Sequence, residues 1–282
     1  MAVLAIALLQ ACSAVKLAYN NVPEFGYWWL DSYADFSESQ SIRVREDLTR
    51  LLKWHRTEEL PKLAELLQRS QRLASADLAP APVCALFADL RTRFDATVPQ
   101  VEATAVSLAM GLTQAQIQHI EKKFAKNDAE WREKWLDLSP DKRIEKRLKS
   151  NQDRSEEFYG SLEEKQIAAL RAGLEASTFD PQLAFAERVR RQRDILQTLR
   201  SVSGVSGTKP SQADALTALR AVLDRSMNSP NPVFRAYNEK LIAESCAVFS
   251  KVHNTTTPDQ RARAVRRLAA YERDARELNS QR

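Results

Sequence analysis

Leu112-Thr-Gln-Ala-Gln-Ile-Gln-His-Ile-Glu-Lys-Lys-Phe-Ala-Lys-Asn-Asp-Ala-Glu-Trp-Arg-Glu-Lys-Trp135 is the stretch that decides the fold class. Thr113, with Gln116 three residues on, has the spacing of a capping box, in which two side chains satisfy backbone N–H groups left over at a helix start. Ile117, Ile120, Phe124, Trp131 and Trp135 then recur at helical spacing with charged residues between them. The stretch predicts a capped amphipathic helix.

The same start signal recurs. Phe36-Ser-Glu-Ser-Gln40 and Thr256-Thr-Pro-Asp-Gln260 supply two more capping boxes, through Ser37 and Thr257. Leu138-Ser-Pro-Asp-Lys142 and Leu162-Glu-Glu-Lys-Gln166 are degenerate copies. Apolar stripes follow: Val44, Leu48 and Leu51 after the first, and Val265, Leu268, Ala275 and Leu278 after the last. Pro80 and Pro82 open a helix carrying Val83, Phe87, Leu90 and Phe94, and Pro181 opens one carrying Phe185, Val189, Leu196 and Leu199. Gly111 and Gly160 read as stops, Ser229-Pro-Asn-Pro232 as a tight turn, and Pro61 as a kink or break after Leu60. Period-two alternation is missing, and only 6 Gly and 11 Pro punctuate 282 residues. An all-α bundle of long amphipathic helices with little or no sheet is the expected fold.

The amino terminus has a different character. Residues 1–11 carry no charge and end in Ala11 before Cys12, too short a run for a bilayer span of about 20 residues. They read as a signal peptide with a small-residue cleavage site, although no basic segment precedes the apolar run. Leu9-Gln10-Ala11-Cys12 resembles the lipobox of bacterial lipoproteins, which implies lipid on Cys12 and an anchor of several acyl chains. By the sorting habit of those proteins, Ser13 implies the periplasmic face of the outer membrane. The expected organisation is a signal peptide at 1–11, a lipidated cysteine with an aromatic juxtamembrane segment at 12–36, and one helical domain at 37–282 with a flexible loop near 201–211. Asp31 and Asp35 interleave the aromatics of 16–36, so packing against the domain is preferred there to membrane contact.

With Cys12 lipidated, Cys84 and Cys246 remain. An oxidising envelope favours a disulfide between them over two buried thiols. Cys246 shares helical spacing with Ile242, Phe249 and His253, which predicts that all four point inward. No metal motif surrounds His55, His119 or His253, no Gly-rich phosphate loop appears, and no cofactor is implied. The net charge of +5 and the arginine runs at 188–193 and 261–267 read as solvated helix faces, and no nucleic-acid partner is expected. Glu244-Ser245 is similar to the Glu-Ser pair of lytic transglycosylases, without their downstream Gly-Leu-Met-Gln segment.

Leu17-Ala-Tyr-Asn-Asn-Val-Pro23, Trp28-Trp-Leu-Asp-Ser-Tyr-Ala-Asp-Phe36, Trp54-His-Arg-Thr-Glu-Glu-Leu-Pro61 and His253-Asn-Thr-Thr-Thr-Pro-Asp-Gln-Arg261 look like an uncharacterised family of proteobacterial lipoproteins. That resemblance implies anchoring and helicity and assigns no catalytic residue. Leu112-Thr-Gln-Ala-Gln116 also matches the Leu-Thr-x-x-Gln signature of the small helical periplasmic chaperones of the Spy and CpxP type, at about half this chain's length. The capping box alone also accounts for those residues. The expected function is a lipid-anchored envelope module, non-enzymatic and chaperone-like, whose partners are the membrane and envelope proteins or unfolded clients. A cell-wall (peptidoglycan) enzyme built around His55 and Glu244 is the alternative. The expected binding surface comprises Trp28, Trp29, Trp54, His55, Arg56, Trp131 and Trp135, with the charged stretch 121–157 facing the client.

Overall fold

The computed structural model describes residues 15–281. The proposed signal peptide at 1–11 and Cys12 lie outside the described residues. Among the described residues the chain is all-α, with helical residues at 15–20, then twelve helices and no strand. In order these are α1 (Val22–Ala34), α2 (Glu38–Trp54), α3 (Leu60–Ala74), α4 (Pro80–Asp95), α5 (Val98–Met110), α6 (Gln114–Trp131), α7 (Pro140–Tyr159), α8 (Glu164–Glu175), α9 (Pro181–Ser203), α10 (Gln212–Met227), α11 (Pro232–Asn254) and α12 (Pro258–Ser280).

The start motifs do more than begin helices. Gln40 Oε1 accepts the Ser37 N–H at 2.9 Å and Gln116 Oε1 accepts that of Thr113 at 3.0 Å, which closes each cap locally. The free amide nitrogens then cross. Gln116 Nε2 donates to Asp35 O at 3.0 Å and to Gln40 Oε1 at 2.7 Å, while Gln40 Nε2 donates to Gly111 O at 3.5 Å. Asp35 and Gly111 are the C-caps of α1 and α5, whose last carbonyls have no partner within their own helices. Each glutamine therefore ends the helix that precedes the other motif.

The arrangement is repeated later in the chain. Gln166 Oε1 accepts the Glu163 N–H at 2.8 Å, and Gln260 Oε1 that of Thr257 at 2.9 Å. Gln166 Nε2 donates to Thr255 O at 3.1 Å and Gln260 Nε2 to Ser161 O at 3.0 Å, with the two amides bonded to each other at 2.7 and 3.0 Å. The packing follows the same correspondence: α1 touches α2 and α6 as α7 touches α8 and α12, and α2 meets α5 as α8 meets α11. The fifth motif stays single, because Lys142 has no amide to return. Ser139 caps it alone, accepting from Lys142 N.

Around these two crossings the core is divided into small clusters rather than one mass. Leu60, Ala64, Ala275 and Leu278 hold α3 along α12, and Leu112, Ile117, Ile120 and Leu196 join the first crossing to α9. Leu148, Leu170, Leu174 and Val252 fill the second crossing. There α8 and α11 approach so closely that a Cβ on Gly173 would stand 2.4 Å from Val248 Cγ2, so no larger residue fits without displacing Val248. Cys84 on α4 and Cys246 on α11 are joined in a disulfide across 162 residues of sequence.

Pro61 corrects one expectation. The chain does not break after Leu60 but stays helical from Glu38 to Ala74 through a π turn at His55–Glu59, in which the Leu60 N–H reaches back to His55 O. A proline clashes with the carbonyl four residues earlier, and the extra residue in the turn relieves that contact. Helix α9 also runs on to Ser203, where Gly204 ends it in the left-handed region, so the connection expected at 201–211 begins later.

Two stability measurements test this frame. Gln166 is fully buried, so Gln166→Leu leaves the Glu163 N–H, Thr255 O and the Gln260 amide unsatisfied and should lower urea-unfolding stability by about 2–3 kcal/mol. Gln40→Leu, whose counterpart site is partly open to water, should cost less. Paired Cys84→Ser and Cys246→Ser substitutions should cost about 3–5 kcal/mol through the long loop they open, read as a lower midpoint that reductant no longer changes.

Candidate functional site

Helix α4 carries its apolar residues at 83, 87, 90 and 94, one helical stripe. Only Val83 is buried, beside Leu78 and Cys246, whereas Phe87, Leu90 and Phe94 are exposed. Helix α11 divides in the same way. Cys246 and His253 are buried, but Ile242 and Phe249 stand 47% and 42% exposed, against the expectation that all four point inward. Ile242 and Phe249 both lie to one side of Cys246 on the helix, about 40° and 60° round, and that side is open to solvent.

These exposed side chains form a ridge over two hollows. Cys84, Phe87, Ala88, Leu241 and Ile242 line one of about 460 Å³, which is predominantly apolar. On the other side of Phe87 a cleft of about 370 Å³ runs between α7, α8 and α11, walled by Arg147, Arg154, Glu244, Val248 and Phe249. Periodicity revealed the stripes but not that they face outward.

Glu244 lies in that cleft but is held as a structural carboxylate. Burial would raise its pKa; the Thr178 N–H at 3.0 Å, the Thr178 hydroxyl at 2.9 Å and the Ser177 hydroxyl at 3.3 Å outweigh it, aided by Lys240. Its pKa is lowered as a result, the wrong direction for a general acid near neutral pH. Arg147, depressed by burial, braces the same loop through Leu174 O and Ser177 Oγ. His55 does not share this cleft, so the structure does not assemble the His55–Glu244 site envisaged from sequence.

His55 instead lies in the first π turn, where Nδ1 meets Tyr19 Oη at 2.9 Å. Beside it Arg56 donates to Asn20 Oδ1 at 2.7 Å and to Gln281 O at 3.2 Å, and Trp54 stands edge-on to His55. His55 and Arg56 thus clasp the first described residues against the end of α12. Trp131 stacks on Phe185 at 5.3 Å and Trp135 meets Phe179 edge-on at 6.0 Å, and both are half-buried. Trp28 and Trp29 are 57% and 61% exposed, the two of the seven expected residues most open to solvent.

Four arginines of the two runs are engaged in ion pairs. Arg188 pairs with Asp128, Arg190 and Arg191 with the buried Glu187, and Arg261 with Asp77. Among the described residues no group of three or more His, Cys, Asp or Glu could hold a metal ion, and no helix is long and apolar enough to cross a membrane.

A second tyrosine–histidine pair is buried beneath the cleft. His253 Nε2 lies 2.8 Å from Ala76 O, which can only accept, so Nε2 carries the proton and Nδ1 accepts from Tyr159 Oη at 2.8 Å. Burial pushes Tyr159 up to about 12 and lowers the pKa of both His253 and His55. The unfolded chain therefore binds more protons than the folded one below the ordinary histidine pKa of about 6.5, and stability falls as pH drops through that value. Urea midpoints should decrease between about pH 7.5 and 5.5, and His253→Gln should flatten that decrease while lowering stability at both ends.

No curated protein and no solved structure matches the chain. Residues 32–221, which contain the first crossing and one motif of the second, match the model of a family of unknown function, DUF6279. The chain belongs to the DUF6279 family.

Proposed function

We propose that this protein is a lipid-anchored module of the bacterial envelope that holds exposed apolar segments of other envelope proteins without catalysing a reaction. Residues 1–11 are its signal peptide, Cys12 carries the lipid, 12–36 is the juxtamembrane segment, and the helices from 37 onward form one domain at the periplasmic face of the outer membrane. The single observation that carries the binding role is the set of exposed apolar side chains on α4 and α11, Phe87, Leu90, Phe94, Ile242 and Phe249, of which Phe87 and Phe249 line a cleft with charged walls. An unfolded chain offers apolar side chains for such a ridge, and polar backbone groups and charged side chains for the cleft.

The Leu-Thr-x-x-Gln signature does not itself carry this reading, because the crossed glutamines account for its residues structurally. The disulfide and the lipobox support an exported protein, since bridged cysteines persist in oxidising compartments. No observation favours a wall-cleaving role for Glu244, whose carboxylate is already satisfied.

An aggregation assay on an unfolding client tests the role. The full chain should suppress light scattering without turnover or nucleotide. Phe87→Ser combined with Phe94→Ser and Ile242→Ser should remove most of that protection while leaving the circular dichroism unchanged, because all three side chains are exposed. Equal protection by wild type and variant ends the assignment of the ridge. Metabolic labelling with palmitate, absent in Cys12→Ala, tests the anchor separately.

A further inference from the structure

Helix α1 inverts the usual rule for a surface helix. Val22, Phe25, Trp28 and Trp29 are its most exposed residues, and every one is apolar; the side chain of Glu24, also open to solvent, is paired with Arg45. Ala18, Val22, Phe25 and Trp29 fall at i, i+4, i+7 and i+11, a single stripe, with Trp28 beside it. The aromatics on the other side are packed: Tyr27 donates to Ser41 Oγ at 3.0 Å, and Tyr33 accepts from Asn127 at 2.7 Å. The acidic residues that would oppose contact with lipid are engaged elsewhere. Glu24 is paired with Arg45, and Asp31 Oδ1 accepts the Phe36 N–H at 2.9 Å.

We infer that this face of α1 lies on a lipid bilayer, with Phe25, Trp28 and Trp29 seated at the headgroup level. The inference rests on the lipid-anchor reading and extends it from a tether to a docked surface. Cys12 precedes Val15 by three residues, which span at most about 11 Å when extended. Residues 15–20 are already helical, and Val15, Leu17 and Ala18 are exposed there too. A lipid-bearing Cys12 thus keeps the start of the helical segment within about one helix diameter of the membrane surface. An apolar face that begins there meets lipid before any other partner, and Trp is the residue type that favours the bilayer interface. The sequence-based preference for packing over membrane contact is divided by the structure: the tyrosines pack, and the tryptophans stay outside.

The test uses the full protein, reconstituted into phosphatidylethanolamine and phosphatidylglycerol vesicles whose acyl chains carry bromine, a contact quencher of tryptophan. Wild type should show quenched emission, and Trp28→Phe combined with Trp29→Phe should lose most of that quenching, since Trp54, Trp131 and Trp135 are half-buried and lie on other helices. Phe keeps the face apolar, so the variant removes the reporter and not the docking. Phe25→Ser should weaken the wild-type quenching. Unquenched wild type, or equal quenching in wild type and the double variant, overturns the inference, as does a dimer in solution that shields both tryptophans from the vesicles. The intact mass separates this from the anchor: acylated Cys12 without quenching refutes the docking alone, whereas quenching without acylation refutes the anchor and leaves the docking standing.

Discussion

A helix leaves carbonyls without partners at its end and N–H groups without partners at its start, and this chain places such ends against one another. Four glutamines resolve the problem in pairs. Each uses its oxygen for its own helix start and its nitrogen for the end of the helix that precedes its partner's motif. Because one amide serves both ends, the helices cannot slide without losing hydrogen bonds, and at the buried Gln166 water does not replace them. The crossings therefore fix which helices meet, and the apolar clusters follow from that placement.

That constraint explains why small hydrophobic clusters suffice. Leu148, Leu170, Leu174 and Val252 could pack in several registers on apolar grounds alone, but the Gln166–Gln260 pair selects one, and Gly173 lets α11 come close enough to use it. The disulfide adds a covalent limit between α4 and α11, at the edge of the second crossing. The π turn at His55–Glu59 accommodates Pro61 and presents His55 and Arg56 to the amino-terminal segment, which ties the start of the described chain to its end.

With the interior held by polar crossings, two apolar faces are left over. The ridge on α4 and α11 stands beside a charged cleft, and the aromatic side of α1 continues into the segment that leads to Cys12. The partners proposed for them differ accordingly: a polypeptide, mixed in polarity, for the phenylalanines beside a charged wall, and the graded interface of a bilayer for the tryptophan-rich stripe. The buried Glu187 and His253 and the half-buried Glu244 all have structural partners, so they hold the scaffold under these faces.

The sequence by itself determined the helices and their starts. Ser37, Thr113 and Thr257 with their glutamines announce local hydrogen bonds between residues three apart, and stripes such as Ile117, Ile120 and Phe124 announce a helical period; both are short-range properties. Tertiary structure alone decided which motif faces which. The partners are 76 and 94 residues apart, and nothing within either motif records the distance. It also decided which stripes are buried. Phe87, Leu90 and Phe94 have the same period as a core stripe, and Cys246 the same period as Ile242 and Phe249, but burial depends on whether another helix arrives on that side. A helical pattern fixes the direction of a side chain from its axis, and only the packing of the whole chain fixes what it meets.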